Sequence, residues 1–199
     1  MRYYISIEKN IEGFEFFKTL WQGRGIQGLM ADNMTEGIQK AIELEKSKYD
    51  ELYFIDIVAD DINYLSQLKI LTDETNAPIL IATSNYNDEE HHEALGNGAD
   101  FYGGYCETPE QNIYAVNKVI ESIARRARKK KPSSRVIICG GIMIARAYRQ
   151  VFVNNILVDL NKKEYEILNY LMINQGQILT HTQILRKVWG DDYSDNGME

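Results

Sequence analysis

Five times between residues 3 and 128 a short apolar run gives way to a stretch whose apolar residues recur at helical spacing. Strands are expected at 3–7, 26–31, around 52–56, 79–83 and 100–102, with helices at 11–22, 34–46, 62–72, 88–95 and 109–128. Repeated strand–helix–strand units join parallel strands by right-handed crossovers, so this part of the chain predicts an α/β, doubly wound, parallel five-stranded sheet with helices on both faces. The turn signals agree. Asn33 caps the second helix with Glu36 at capping-box spacing, Gly23 and Gly25 end the first helix, Gly96 and Gly98 end the fourth, and Pro78 opens the fourth strand.

The third run, DELYFIDIVADD at residues 50–61, sets an unbroken apolar segment directly before Asp56. A short apolar run bounded by acids reads as a buried parallel strand. Ending on Asp56, such a strand presents that carboxylate at the sheet's carboxyl edge, where ligands and chemistry sit in open α/β sheets.

After residue 126 the pattern changes. Arg125, Arg126, Arg128, Lys129, Lys130 and Lys131 run into Pro132, Ser133 and Ser134, the composition of a solvated linker. The expected division is a first domain at 1–126, a basic linker at 127–135 and a second domain at 136–199. Residues 136–144 and 151–159 are strand-like, the latter turning at Asn154-Asn155, and suggest antiparallel ribbon. A helix at 162–173 puts Tyr165, Leu168, Leu171 and Met172 on one face; past Gly176, Thr180 caps a second helix at 183–188 before Trp189-Gly190. This part is read as α+β.

The net charge of −7 argues against wholesale binding to phosphate backbones, although the basic run reverses it locally. Every apolar run is too short to cross a bilayer and the N-terminus lacks the pattern of a signal peptide, so a cytoplasmic protein without membrane contact is expected. Cys106 and Cys139 are isolated and read as free thiols. No glycine-rich phosphate loop follows the first strand. His91, His92 and His181 read as exposed polar residues, with no second group completing a nucleophile–base pair. No catalytic residue is assigned, and the chain is read as not an enzyme.

The residues LNKKEYEILNYLMINQGQILTHTQILRKVWG, 160–190, resemble the start of the winged-helix DNA-binding domain of OmpR/PhoB-class response regulators. The first domain resembles a two-component receiver through Asp56, Thr83 after the fourth strand, and Gly98, Ala99, Asp100 and Tyr102. The resemblance implies that Asp56 matches the phosphoacceptor, Thr83 the switch hydroxyl and Tyr102 the switch aromatic. It also implies a divalent cation, held by an acidic pair after the first strand and by the acceptor, and a lysine that pairs with the phosphate.

The departures form a degenerate site of Glu8, Asp60, Tyr64 and Tyr105. Ile7-Glu8 stands in place of the acidic pair, Tyr105 in place of the lysine and Cys106 in place of the following proline. Asp60 and Tyr64 add charge and bulk after the acceptor. Magnesium demands near-ideal octahedral oxygens, so no metal is expected beyond the candidate ligands Glu8 and Asp56, Mg2+ binding is expected weak or absent, and no other cofactor is expected. Without such a role, Asp56 is a relic acid that solvates the sheet edge or pairs with Lys9.

The resemblance further implies DNA as partner of a complete winged-helix domain, a homodimer through the fourth helix, fifth strand and fifth helix (88–95, 102–105 and 112–125), and a histidine kinase as the uncertain upstream partner. The recognition helix and wing are expected to be missing from the 199 residues, leaving the apolar faces of Leu168, Leu171, Ile184, Leu185 and Val188 without their usual third-helix partner. The function expected is a DNA-binding transcriptional regulator controlled independently of ordinary aspartyl phosphorylation. The alternatives are a non-DNA-binding interaction or sequestering module, and a conventional regulator switched by phosphorylation of Asp56.

Overall fold

Branched and aromatic residues fit a pleated surface covered on both sides, and the apolar runs become its strands. A computed structural model describes residues 1–104, 108–124 and 135–190. Its strands β1 (Arg2–Ile7), β2 (Ile26–Ala31), β3 (Glu51–Val58), β4 (Ile79–Thr83) and β5 (Phe101–Gly104) pair in parallel in the order β2-β1-β3-β4-β5. Between and after them lie α1 (Ile11–Gln22), α2 (Met34–Lys46), α3 (Leu65–Glu74), α4 (Asp88–Gly96) and α5 (Pro109–Ala124). Asparagine side chains cap three of these helices. Asn10 accepts from the Gly13 N–H at 3.1 Å, Asn33 from Glu36 at 3.0 Å and Asn87 from Glu89 at 2.8 Å. Glu36 does not close a box on Asn33; it accepts instead from the Asp32 N–H at 2.9 Å.

Side chains alternate across a strand, so the sheet has two chemically different faces. One carries the isoleucines Ile5, Ile7, Ile55, Ile57, Ile79 and Ile81, all buried. Gly37 of α2 approaches that face so closely that a Cβ there would stand 2.3 Å from Ile7 Cδ1. The other face carries Tyr4, Phe54, Leu80 and Phe101 against Phe14 and Trp21 of α1 and Ile113 and Ile120 of α5. Tyr4 stacks on Phe54 at 5.1 Å between centroids, and Trp21 tilts onto the same ring at 5.1 Å.

Two boundaries differ from the sequence expectation. β3 does not end on Asp56: Ile57 and Val58 extend it, and Asp56 pairs in register with Leu80, Ile57 with Ile81 and Val58 with Ala82. A 3₁₀ turn at Ala59–Asp61 follows, and α3 starts at Leu65 rather than near 62. Ile62 and Tyr64 carried the helical periodicity because both are buried, but they are buried from irregular backbone.

The chain divides into two compact units, Met1–Ser134 and Arg135–Glu199. The second begins with an antiparallel sheet of four short strands, where the sequence suggested two long ones: β6 (Val136–Cys139), β7 (Ile142–Ala145), β8 (Gln150–Val153) and β9 (Ile156–Val158). Gly140, at φ 57°, turns the chain between β6 and β7, and Asn154 and Asn155, at φ 48° and 67°, turn it between β8 and β9. α6 (Lys162–Ile173) and α7 (His181–Trp189) each start with a capping box, Asn161 with Glu164 and Thr180 with Gln183. Ile144, Val151, Tyr165 and Met172 form the core between sheet and helix. The apolar set expected to be bare is divided. Val188 is buried, Leu168, Ile184 and Leu185 are half-buried, and Leu171 is exposed.

Candidate functional site at the sheet's carboxyl edge

Ser6 of β1 pairs in register with Asp56 of β3, and alternation turns both toward the aromatic face. Glu8, two residues past Ser6, returns to that face. It is 6% exposed and accepts a hydrogen bond from the Ser6 hydroxyl. Burial raises the Glu8 pKa despite that bond. The Asp56 carboxyl is pushed up to about 7, first by burial and then by the charge of Glu8. Asp56 keeps part of its surface open to solvent, so this burial is dense packing around the carboxyl rather than complete enclosure. The ion pairs among the described residues of this unit involve other carboxylates, and Lys9 does not pair with Asp56.

The end of β4 is held from the turn after β3. One oxygen of Asp60, Oδ1, accepts from the Thr83 hydroxyl at 3.1 Å and from the Ser84 N–H at 2.8 Å. The same hydroxyl lies 3.2 Å from the Asn85 carbonyl and accepts from the Asn85 N–H at 3.1 Å. A hydroxyl has a single proton to donate, and a carboxylate is the stronger acceptor, so Asp60 takes it. Asp60 is not among the charges that raise the Asp56 pKa. Its carboxylate is engaged with the β4 end, and the acid that charges Asp56 is Glu8.

Tyr64 also turns away from the acceptor. It is buried, and its hydroxyl donates to Glu90 of α4 at 2.5 Å; burial and Glu90 together raise its pKa. Tyr102 faces α4 from β5 and is 5% exposed. Its ring stacks on His91 at 5.5 Å and meets Tyr86 edge-on at 5.6 Å, while the Tyr86 hydroxyl and His91 Nδ1 share a hydrogen bond of 2.7 Å. The Tyr102 hydroxyl is buried with no partner in hydrogen-bonding geometry, although Glu90, Thr83 and the Asn87 backbone are near enough to perturb its pKa, which burial raises. His91 is thus a half-buried stacking ring, where sequence suggested an exposed polar residue. Tyr105, Cys106 and the basic run at 125–134 lie outside the described residues.

The sheet order, Asp56 near its carboxyl edge and Thr83 and Tyr102 on neighbouring strands are the geometry of a receiver. A response regulator receiver domain protein from Clostridium thermocellum has the same fold, with a TM-score of 0.52 at 18% identity over 64% of this chain and 100% of that one. The family model described as "Transcriptional regulatory protein, C terminal" matches residues 155–198. Response regulator ArlR of Staphylococcus epidermidis is 29% identical over 154 residues, 77% of this chain and 65% of the relative. The chain is similar to response regulators: its first unit has the fold of a receiver, and its second carries the match to the C-terminal transcriptional regulatory family. Response regulator SaeR of the same species is 23% identical over 159 residues, 79% of this chain and 68% of the relative. The chain spans slightly under two thirds of the length of ArlR.

Among the described residues, no group of three or more His, Cys, Asp and Glu side chains is placed to hold a metal. Glu8 and Asp56 are two acidic oxygen donors, fewer than an octahedral ion would take from protein and water together without a large aqueous share. No helix among the described residues is long and apolar enough to cross a membrane. Sequence missed the Ser6–Glu8 hydrogen bond, the Asp60 clamp and the His91 stack. The i, i+2 spacing of Ser6 and Glu8 on a strand was the one signal that pointed to a shared face.

Proposed function

We propose that this chain is part of a DNA-binding transcriptional regulator whose receiver is set without ordinary phosphorylation of Asp56. Its partners are DNA, through the complete C-terminal domain, and a second copy of itself through α4, β5 and α5. The observation that carries the proposal is the Asp60 carboxylate on Thr83 and Ser84. Thr83 matches the hydroxyl that reports a phosphoryl group, and here its proton is already taken by a fixed internal anion. The buried stack of Tyr102 supports the same view, since both residues of the switch are engaged in the unmodified chain. A phosphoryl group on Asp56 would add negative charge beside Glu8 with no cation among the described residues in reach.

Intact mass after incubation with a small acyl phosphate and magnesium tests the acceptor. The unmodified mass is expected. A stoichiometric phosphoryl adduct that disappears in Asp56→Asn would restore the conventional phosphorylation-switched regulator. Gel retardation of promoter DNA by the regulator with its complete C-terminal domain tests the output. Retardation without phosphodonor is expected, weakened in Asp60→Ala. DNA left unshifted by the complete protein would point instead to an interaction or sequestering module.

A further inference from the structure

The aromatic face of the receiver sheet does not close fully against its helices. A cavity of about 180 Å³ lies between the strands and α1 and α5. Tyr4, Phe54 and Phe101 wall it from the sheet, Phe17 and Trp21 from α1, and Val116 from α5, while Glu8 and Asp56 stand where the strands reach their carboxyl edge. Three independent features make this space unlike a packing defect. Its volume exceeds the roughly 150 Å³ of an engineered apolar cavity that takes up benzene. Tyr4, in its wall, is 2% exposed, and its hydroxyl has no hydrogen-bond partner. The two carboxylates meet no cation among the described residues of the unit.

Two of these features are unfavourable alone: two acids near one another, and an aromatic-lined space whose facing walls are too far apart to touch. One kind of guest relieves both. A positive head group answers the carboxylates, and an apolar body fills the space and lies against ring faces that attract cations. We propose that the cavity binds a small organic monocation, an ammonium group on an aromatic or compact aliphatic body, with the ammonium against Glu8 and Asp56. A neutral molecule of the same shape leaves the acids unanswered, and an anion is repelled by them. An inorganic divalent ion meets two carboxylates and leaves the aromatic walls empty. The organic monocation gives the receiver an input that does not pass through Asp56 phosphorylation, and its binding does not require the DNA-binding role.

Isothermal titration of the full chain with phenethylammonium, 2-phenylethanol, phenylacetate and magnesium alone tests the site. Saturable one-to-one binding of phenethylammonium is expected, at least tenfold tighter than the alcohol, with no binding of the carboxylate. Glu8→Gln, nearly isosteric, should weaken the ammonium at least tenfold and leave the alcohol unchanged. Ala115→Leu, which narrows the cavity from α5 with a good helix former, should weaken both. Equal affinity for alcohol and ammonium, full affinity in Glu8→Gln, or no saturable ammonium binding would each overturn the proposal. Displacement of the ammonium by magnesium at equal concentration would overturn it in favour of an inorganic cation site. None of these failures touches the Asp60 proposal, which is read from phosphoryl mass and DNA retardation.

Discussion

Asp56→Asn should stabilise the receiver, and by more as the pH rises. The Asp56 carboxyl ionises at about 7 in the folded chain, against an ordinary aspartate value of 3.8. A raised carboxyl pKa means that the unfolded chain releases this proton first. The folded state therefore carries no penalty below pH 3.8, an increasing one from there to about 7, and the full penalty above. At about 1.4 kcal/mol per tenfold change in acidity, the full penalty is about 4 kcal/mol, of which about 2–3 kcal/mol accrues between pH 5 and pH 8. Part of the side chain reaches solvent, so screening should reduce the observed difference to about 1–2 kcal/mol. Urea unfolding followed by Trp21 fluorescence measures it. Trp21 is 3% exposed against Phe54, and placing both proteins in a Trp189→Phe background removes the second tryptophan, so the signal reports the receiver unit. The stability gap between Asp56→Asn and its parent should widen steadily from pH 5 to pH 8. Two parallel curves over that range would refute the burial and the Glu8 charge as causes. Carboxyl titration by NMR in Glu8→Gln separates the two. The Asp56 midpoint should fall there but stay above 3.8, because burial is the larger cause.

Three further substitutions test the packing around the same edge. Asp60→Ala removes one acceptor from two donors and leaves the buried Thr83 hydroxyl to the Asn85 carbonyl, so receiver stability should drop by about 1–2 kcal/mol in urea; Asp60→Asn, which keeps one oxygen, should lose less. Gly37→Ala drives a methyl into Ile7 at 2.3 Å from Cδ1 and should cost about 1–3 kcal/mol by the same measurement, where a helix-propensity argument alone predicts a gain. Tyr102→Phe deletes a buried hydroxyl without a partner while keeping the ring on His91, and should be neutral or stabilising by up to about 1 kcal/mol. A loss above that size would show that Glu90 or Thr83 holds the hydroxyl after all.

The alternation of strands and helices and most element boundaries were legible because they depend on local period. Ile5 and Ile7 against Tyr4 and Ser6 show in four residues which side chains share a face, and Asn33 and Thr180 announce helix starts within one turn. β3 was cut short at Asp56 because an acid looks like a strand end, yet register with β4 carries the strand two residues further. What the sequence hid is where turn side chains reach. Asp60 meets a hydroxyl 23 residues away, and Tyr64 meets a carboxylate 26 residues away. Neither distance has a period. The cavity was equally invisible, being a difference between volumes contributed by strands and helices far apart in the chain.

These hidden contacts change what the departures from the family pattern mean. In sequence, Glu8 after the first strand and Asp60 after the third read as one acid lost and another added at random. In space, Glu8 charges Asp56 from the neighbouring strand, while Asp60 occupies the donors at the end of β4. Local rules broken together at one edge, each with a partner, are the mark of a functional site under a different constraint. On the proposed reading, Asp56, beside Glu8 and lining an aromatic cavity, acts as a charge at the mouth of a binding site rather than as an acceptor waiting for its ion.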